Sequence, residues 1–230
     1  MPAQVSNHSV ELRAGAFLAI AGSVLNVVSN AVQPQIGDYA NTSEVFAALS
    51  ATPLWEISRI GVLSASMLGL GGLFLVRRAF QGRRGESSFL LAVGSAFVMT
   101  PVIAVMMGMD LAQKQMAKLV SASGPEQAAM ALWAGHGLHS ASFAIFSISL
   151  VLASVTPMLV GVAVILGGQY PTWIGWFSVV GGIGVLITAV LQAVNGPTPI
   201  AKVLFPAFGL LVTVAFIILS VLIWRRAAMQ

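Results

Sequence analysis

Residues 60–84 read IGVLSASMLGLGGLFLVRRAFQGRR, an uncharged apolar run that ends in a cluster of arginines. The run from Ile60 to Val76 is long enough to cross the hydrocarbon core of a bilayer as a helix, which takes roughly 17–25 residues. Arginine and lysine collect on the cytoplasmic side of such spans. The stretch therefore predicts a transmembrane helix whose C-terminal end is cytoplasmic.

The composition of the whole chain also indicates a membrane protein. Hydrophobic residues make up 57% of the 230 residues and charged residues 8%, and the mean hydropathy is +0.92. A soluble domain carries about 25% charged residues, so a soluble globular protein is excluded. Inside lipid the backbone must satisfy its own polar groups, and the spans are therefore predicted to be helices.

Further uncharged runs predict the remaining spans. We place span one at Leu12–Gln33, span two at Pro53–Ala79, span three at Ser87–Asp110, span five at Pro171–Val194 and span six at Ile200–Trp224. Span four must lie within residues 127–169, where Pro157 could kink one long helix or separate two. The arginine pairs after spans two and six are both cytoplasmic only if an even number of spans separates them. Six helices satisfy this condition, and the alternative of seven does not.

The predicted architecture is an all-α, polytopic transmembrane bundle of six helices, with residues 1–230 forming a single integral membrane domain. Both termini are predicted to be cytoplasmic. Span four would then project beyond the bilayer and carry His136 and His139 to its outer boundary. We expect the outer loops at about 34–52 and 111–126 to pack around this projection.

The charge pattern and the absence of cysteine narrow the function classes. The pI is near 10.1, but the arginines occur as pairs at span ends, so we expect no nucleic-acid partner. With no cysteine, a thiol nucleophile or an iron–sulfur cluster is excluded. No nucleotide-binding loop or metalloprotease motif occurs in a suitable context, and no cofactor can be named.

Two stretches carry a resemblance to a known group of proteins. These are RAGAFLAIAG at residues 13–22 and YPTWIGWFSVVGG at residues 170–182, together with the arginine-rich turn after span two. Their order resembles a bacterial family of six-helix integral membrane proteins of unknown function, in which a Pro-Xaa-Trp-Xaa-Gly-Trp turn leads into a glycine-rich fifth helix. The resemblance implies six helices and location in the bacterial inner membrane. It implies no catalytic residue, because the family has no established activity.

Polar side chains gather in the half of the predicted bundle opposite the arginine pairs. The candidate ligand-binding residues are Asn26, Asn30, Arg59, Gln192 and Asn195, and the candidate catalytic residues are Glu56, Asp110 and His139. Intramembrane ionisable groups are costly and therefore mark functional sites by default. The alternatives are that the amides only join helices by hydrogen bonds and that Glu56 and Arg59 only neutralise each other.

The histidines His136 and His139 are spaced by three and would share one face of a helix. They could bind a metal ion together with carboxylates from neighbouring helices. Alternatively, one could act as an acid or base near neutral pH. The third interpretation is that both are interfacial residues bonded to serine or to loop carbonyls.

Three function hypotheses follow. The first is a binding protein whose outward-facing polar pocket holds a small lipophilic molecule or a metal ion. The second is an intramembrane enzyme that isomerises or cyclises an isoprenoid-like substrate by acid–base chemistry. The third is a structural subunit of a membrane complex, as a homo-oligomer or with another membrane protein. Beyond these, the bilayer itself is the expected partner.

Overall fold

The computed structural model describes residues 2–32, 41–196 and 198–229, with the side chains of the first helix described from His8. Within these ranges lie seven α-helices: α1 Pro2–Ala31, α2 Thr42–Ala51, α3 Trp55–Val76, α4 Glu86–Ala122, α5 Pro125–Gly167, α6 Thr172–Asn195 and α7 Pro199–Ala228. All except α2 are long and apolar enough to cross a membrane. The predicted all-α bundle with six membrane spans is thus confirmed over the described residues.

The six spans form a closed ring. Each packs against two neighbours in the order α1, α3, α4, α5, α6, α7 and back to α1. Successive spans run in opposite directions, so the ring has two distinct ends. We call them the arginine end, where Arg77 follows α3 and Arg226 lies in the last turn of α7, and the histidine end, where α5 carries His136. Which end is cytoplasmic stays a prediction.

The arginine end is filled by a continuous apolar core. Phe80 is fully buried there and stacks on Phe89, with 4.3 Å between ring centroids. The core joins residues of every span and includes Leu12, Leu73, Val160, Val164, Ile174, Leu219 and Ile223. The interior of the ring is therefore closed on this side.

Glycines allow the spans to approach closely, because a residue without a side chain leaves room for the neighbouring helix. A Cβ on Gly22 would lie 2.8 Å from the Ala65 carbonyl oxygen, and one on Gly181 would lie 2.6 Å from a methyl of Val212. The backbone N of Gly69 takes part in the first contact, since the Cβ on Gly22 would lie 2.9 Å from it. A Cβ on Gly69 itself would meet nothing within 4 Å, so this position has open space beside it.

Spans three and four are longer than a bilayer requires. The predicted end of span three at Asp110 and the predicted outer loop at 111–126 are wrong, because α4 continues to Ala122. Residues 125–167 form one helix with Pro157 inside it, which settles the choice between one helix and two. Helices of 37 and 43 residues extend roughly 55–65 Å at 1.5 Å per residue, whereas the hydrocarbon core is about 30 Å thick. The α4–α5 hairpin therefore projects from the histidine end.

The predicted outer loop at 34–52 contains the short helix α2. Asn41 caps it, because its side chain accepts from the backbone N–H groups of Ser43 and Glu44. α2 packs against α4 and α5 and buries Val45, Phe46 and Leu49. It thus lies against the projecting hairpin, as expected for this segment. Gln33, the predicted end of span one, lies outside the described residues.

Candidate functional site

A cavity of about 810 Å³ occupies the ring between the apolar core and the histidine end. All six spans contribute to its wall, and α2 adds Val45 and Leu49. Leu73 and Ala96 belong both to the core and to the wall, so the core forms the floor of the cavity. Most of the wall is apolar, and the charged groups lie toward the histidine end.

The wall contains a buried ion pair between α3 and α4. Nη1 of Arg59 lies 3.4 Å from Oδ2 of Asp110, and the two side chains are only 7% and 14% exposed. The guanidinium also lies over the ring of Trp55, 4.1 Å from its centroid. Trp55 in turn donates from Nε1 to the backbone carbonyl of Asp110 at 3.3 Å. The start of α3 is thus joined to α4 by two contacts at Asp110, one to its carboxylate and one to its backbone carbonyl.

Two further side chains bond to the other carboxylate oxygen of Asp110. Oγ of Ser142 donates to Oδ1 at 2.8 Å, and Nε2 of Gln113 donates to the same atom at 3.4 Å. The amide oxygen of Gln113 lies 2.9 Å from Nδ1 of His139. Because an amide oxygen can only accept, Nδ1 must carry the proton. Asp110, Gln113 and His139 therefore form a hydrogen-bonded chain along the cavity wall. We call these three residues, together with Arg59 and Ser142, the Asp110 network.

The structure separates the two predicted histidines. Nδ1 of His136 lies 2.7 Å from Oγ1 of Thr42 at the start of α2, whereas His139 faces the cavity and bonds to Gln113. Glu56 is also directed elsewhere, since it accepts from Nζ of Lys118 at 2.8 Å. Neither Glu56 nor His136 is among the residues that line the cavity. Of the candidate catalytic and metal-binding residues Glu56, Asp110, His136 and His139, the structure brings Asp110 and His139 together.

The predicted amide residues divide in the same way. Asn26, Asn30 and Gln192 line the cavity, and Gln192 is buried. Nδ2 of Asn30 donates to the Asn26 carbonyl at 2.8 Å, within one helix. Asn195 is exposed at the end of α6 and does not contribute to the wall.

Among the described residues, the structure does not show a set of metal ligands that includes His136 and His139. Within residues 2–32, 41–196 and 198–229, no group of three or more histidine, aspartate and glutamate side chains is arranged to hold a metal ion. His136 and His139 bond to different elements, as described above. A metal role for them stays a prediction.

Gln113, Ser142 and Trp55 belong to this site but do not stand out in the sequence. Gln113 follows Asp110 by three residues, and Ser142 follows His139 by three, so each pair shares a helix face. The signal was therefore present in the spacing. The spacing of Gln113 does not count as a helix-face signal if span three ends at Asp110, because Gln113 then lies in a loop.

No protein-family model, curated protein or solved structure matches this chain.

Proposed function

We propose that this chain is a membrane-embedded binding protein whose cavity holds a small lipophilic molecule, with a polar group of that molecule at the Asp110 network. The observation that carries the proposal is a cavity that all six spans line, with a buried ion pair in its wall. The volume of about 810 Å³ falls within the roughly 300–1,000 Å³ of small-molecule sites.

The character of the wall supports this ligand class. Val62, Ile103, Phe146 and Val185 offer apolar surface, which suits a hydrocarbon body. Asp110 and His139 provide polar atoms on one side, and a few convergent polar groups in an apolar pocket are typical of a binding site. A bilayer supplies lipophilic molecules directly, so a ring of this kind needs no aqueous route.

Filling the cavity tests the proposal. Gly69 lines the cavity, and a Cβ added there meets no atom within 4 Å. Gly69→Leu is therefore expected to occupy ligand space without displacing a helix. Protein purified from membranes in mild detergent would be examined by native mass spectrometry, and bound molecules would be extracted and weighed. The variant should retain about tenfold less ligand, which corresponds to ~1.4 kcal/mol.

Gly94→Leu is the matched control, because Gly94 also has nothing within 4 Å of an added Cβ but lies on the outside of the ring. It should carry the same bound mass as the unaltered protein. The proposal fails if the three proteins carry identical adducts, or if none carries any; the second result would favour a structural subunit.

An intramembrane acid–base enzyme is the second candidate. The observation that favours it is the hydrogen-bonded chain that places Asp110 and His139 on one cavity wall. Such a pair could give a proton to a lipophilic substrate at one position and remove one at another. Asp110→Asn and His139→Gln would then retain the bound mass but stop its conversion to an isomer during incubation. If the composition of the bound molecules stays unchanged over time in all proteins, the enzyme candidate is rejected and only the binding function remains.

A further inference from the structure

The turn that joins α3 to α4 is held in a fixed conformation. Glu86 accepts from the backbone N–H of Gly82 at 2.7 Å, and Gly82 has φ of +70°, a conformation that favours glycine. Nε2 of Gln169 donates to the Ala79 carbonyl at 2.5 Å, which joins this turn to the one between α5 and α6. The arginines of the turn are therefore carried on a braced segment.

Two arginines from different parts of the chain converge on Tyr170. The guanidinium carbon of Arg226, at the end of α7, lies 4.8 Å from the centroid of the Tyr170 ring. Burial raises the pKa of Tyr170, and the charges of Arg226 and Arg83 act in the opposite direction. The phenol ring also packs against Phe80 at 5.9 Å, and the Phe80 carbonyl accepts from the backbone N–H of Arg83 at 3.1 Å. Arg226 thus lies over the Tyr170 ring, and the turn carries Arg83 next to the phenylalanine that packs against the same ring.

Exposed tryptophans indicate the depth of this group in the membrane. Trp173, Trp176 and Trp224 are 45%, 57% and 40% exposed, and all belong to helix segments at the arginine end. Tryptophan collects at the level of the lipid headgroups. Arg226 and Tyr170 lie within a few residues of these tryptophans and so reach the same level.

We propose that Arg83, Arg226 and Tyr170 form a binding site for the phosphate group of an anionic phospholipid in the leaflet at the arginine end. Guanidinium groups bind phosphate oxygens through charge-assisted hydrogen bonds. The hydroxyl of Tyr170, a residue that is only 6% exposed, is a hydrogen-bond partner of Arg226 and so positions that guanidinium. The arginines at the end of α3 have contacts of their own. Arg78 pairs with Glu11, and Arg77 lies over the ring of Phe74.

Lipid titration followed by native mass spectrometry tests the site. The protein in neutral detergent would be titrated separately with dioleoyl phosphatidylglycerol, dioleoyl phosphatidylcholine and inorganic phosphate. The unaltered protein should bind the anionic lipid about tenfold more tightly than the zwitterionic one, as expected for charge-assisted bonds. The double variant Arg83→Gln/Arg226→Gln should lose this preference, and Tyr170→Phe should reduce it with the ring retained.

The matched control is Arg84→Gln/Arg225→Gln, which removes the same charge from the neighbouring positions. It should keep the preference for the anionic lipid, and thermal melting would confirm that all variants are folded. Equal losses in the two double variants would mean that only overall charge attracts lipid, and the site would be rejected. Displacement of the lipid by inorganic phosphate at equal concentration would show a free-anion site and overturn the assignment to a lipid.

Discussion

The carboxylate of Asp110 is the most constrained charge in the described part of the cavity wall. It faces Arg59 at 3.4 Å and accepts from Ser142 and Gln113. Removing a charge from water costs several kcal/mol, and a partner in good geometry offsets this cost. Loss of one partner is therefore worse than loss of both, because it leaves the other charge buried alone.

This asymmetry gives a prediction at the level of single residues. Asp110→Leu should destabilise the protein by about 3–5 kcal/mol, because Arg59 keeps its buried charge. The double variant Arg59→Leu/Asp110→Leu should recover most of this loss. Thermal melting in detergent would measure the stability of the double variant and of each of its two single variants.

Glu56→Gln serves as the comparison, because the Glu56–Lys118 pair is much more exposed than the Arg59–Asp110 pair. It should cost less than about 1 kcal/mol. If the double variant were as unstable as the sum of its two single variants, the charges would not be coupled, and the buried pair would not explain the stability of this region.

At the level of elements, α2 is attached to the hairpin of α4 and α5 by contacts of three kinds. Phe46 fits against Gly135, where an added Cβ would lie 2.3 Å from the aromatic ring. Thr42 bonds to His136. Nζ of Lys114 is buried and donates to the carbonyls of Leu49 and Thr52 near the end of α2, which suits the negative end of a helix. α2 thus covers the histidine end of the cavity.

The contact between Phe46 and Gly135 can be tested with a matched pair of glycines. Gly135→Leu should displace α2, because the new side chain overlaps the ring of Phe46. Amide hydrogen exchange over residues 42–51 should rise, while exchange in α6 stays the same. Gly137→Leu should change amide exchange neither over residues 42–51 nor in α6, since an added Cβ there meets nothing within 4 Å. Equal exchange in both variants would show that Phe46 does not hold the helix.

The sequence predicted the six spans because each is a long uncharged run, and a bilayer permits few structures for such a run. It did not predict α2, although Asn41 and Glu44 have the spacing of a capping box. Hydropathy assigns polar residues beyond a span to loops. For the same reason it ends span three at Asp110 and leaves Gln113 outside the predicted helix. The distance from Asp110 to Arg59 depends on the order of helices in the ring, which hydropathy does not encode.

At the level of the whole molecule, the ring keeps its apolar core at one end and its polar groups at the other. The ends of α1 and α7 that lie at the arginine end include Glu11, Arg13, Arg225 and Arg226. Positive charge at this end predicts a cytoplasmic location. The cavity network would then lie in the outer half of the membrane.

The orientation can be measured because the chain has no cysteine. Gln81→Cys and Ala228→Cys lie at the arginine end, and Ala122→Cys lies at the tip of the projecting hairpin. All three positions are exposed. A membrane-impermeant maleimide added to intact cells should label only position 122. Permeabilised cells provide the control, in which all three should react. Labelling of positions 81 and 228 in intact cells, with 122 protected, would reverse the orientation.

The distribution of tryptophan gives the cavity an optical reporter of its own. Trp55 is 8% exposed beside the Asp110 network, while the other four tryptophans are at least 40% exposed. Quenchers dissolved in water or attached to lipid tails would reach those four first, so the residual fluorescence would come mainly from Trp55. Its emission would shift when a molecule enters the cavity or when the guanidinium of Arg59 moves from its ring. Occupancy could then be followed in a native membrane without a label.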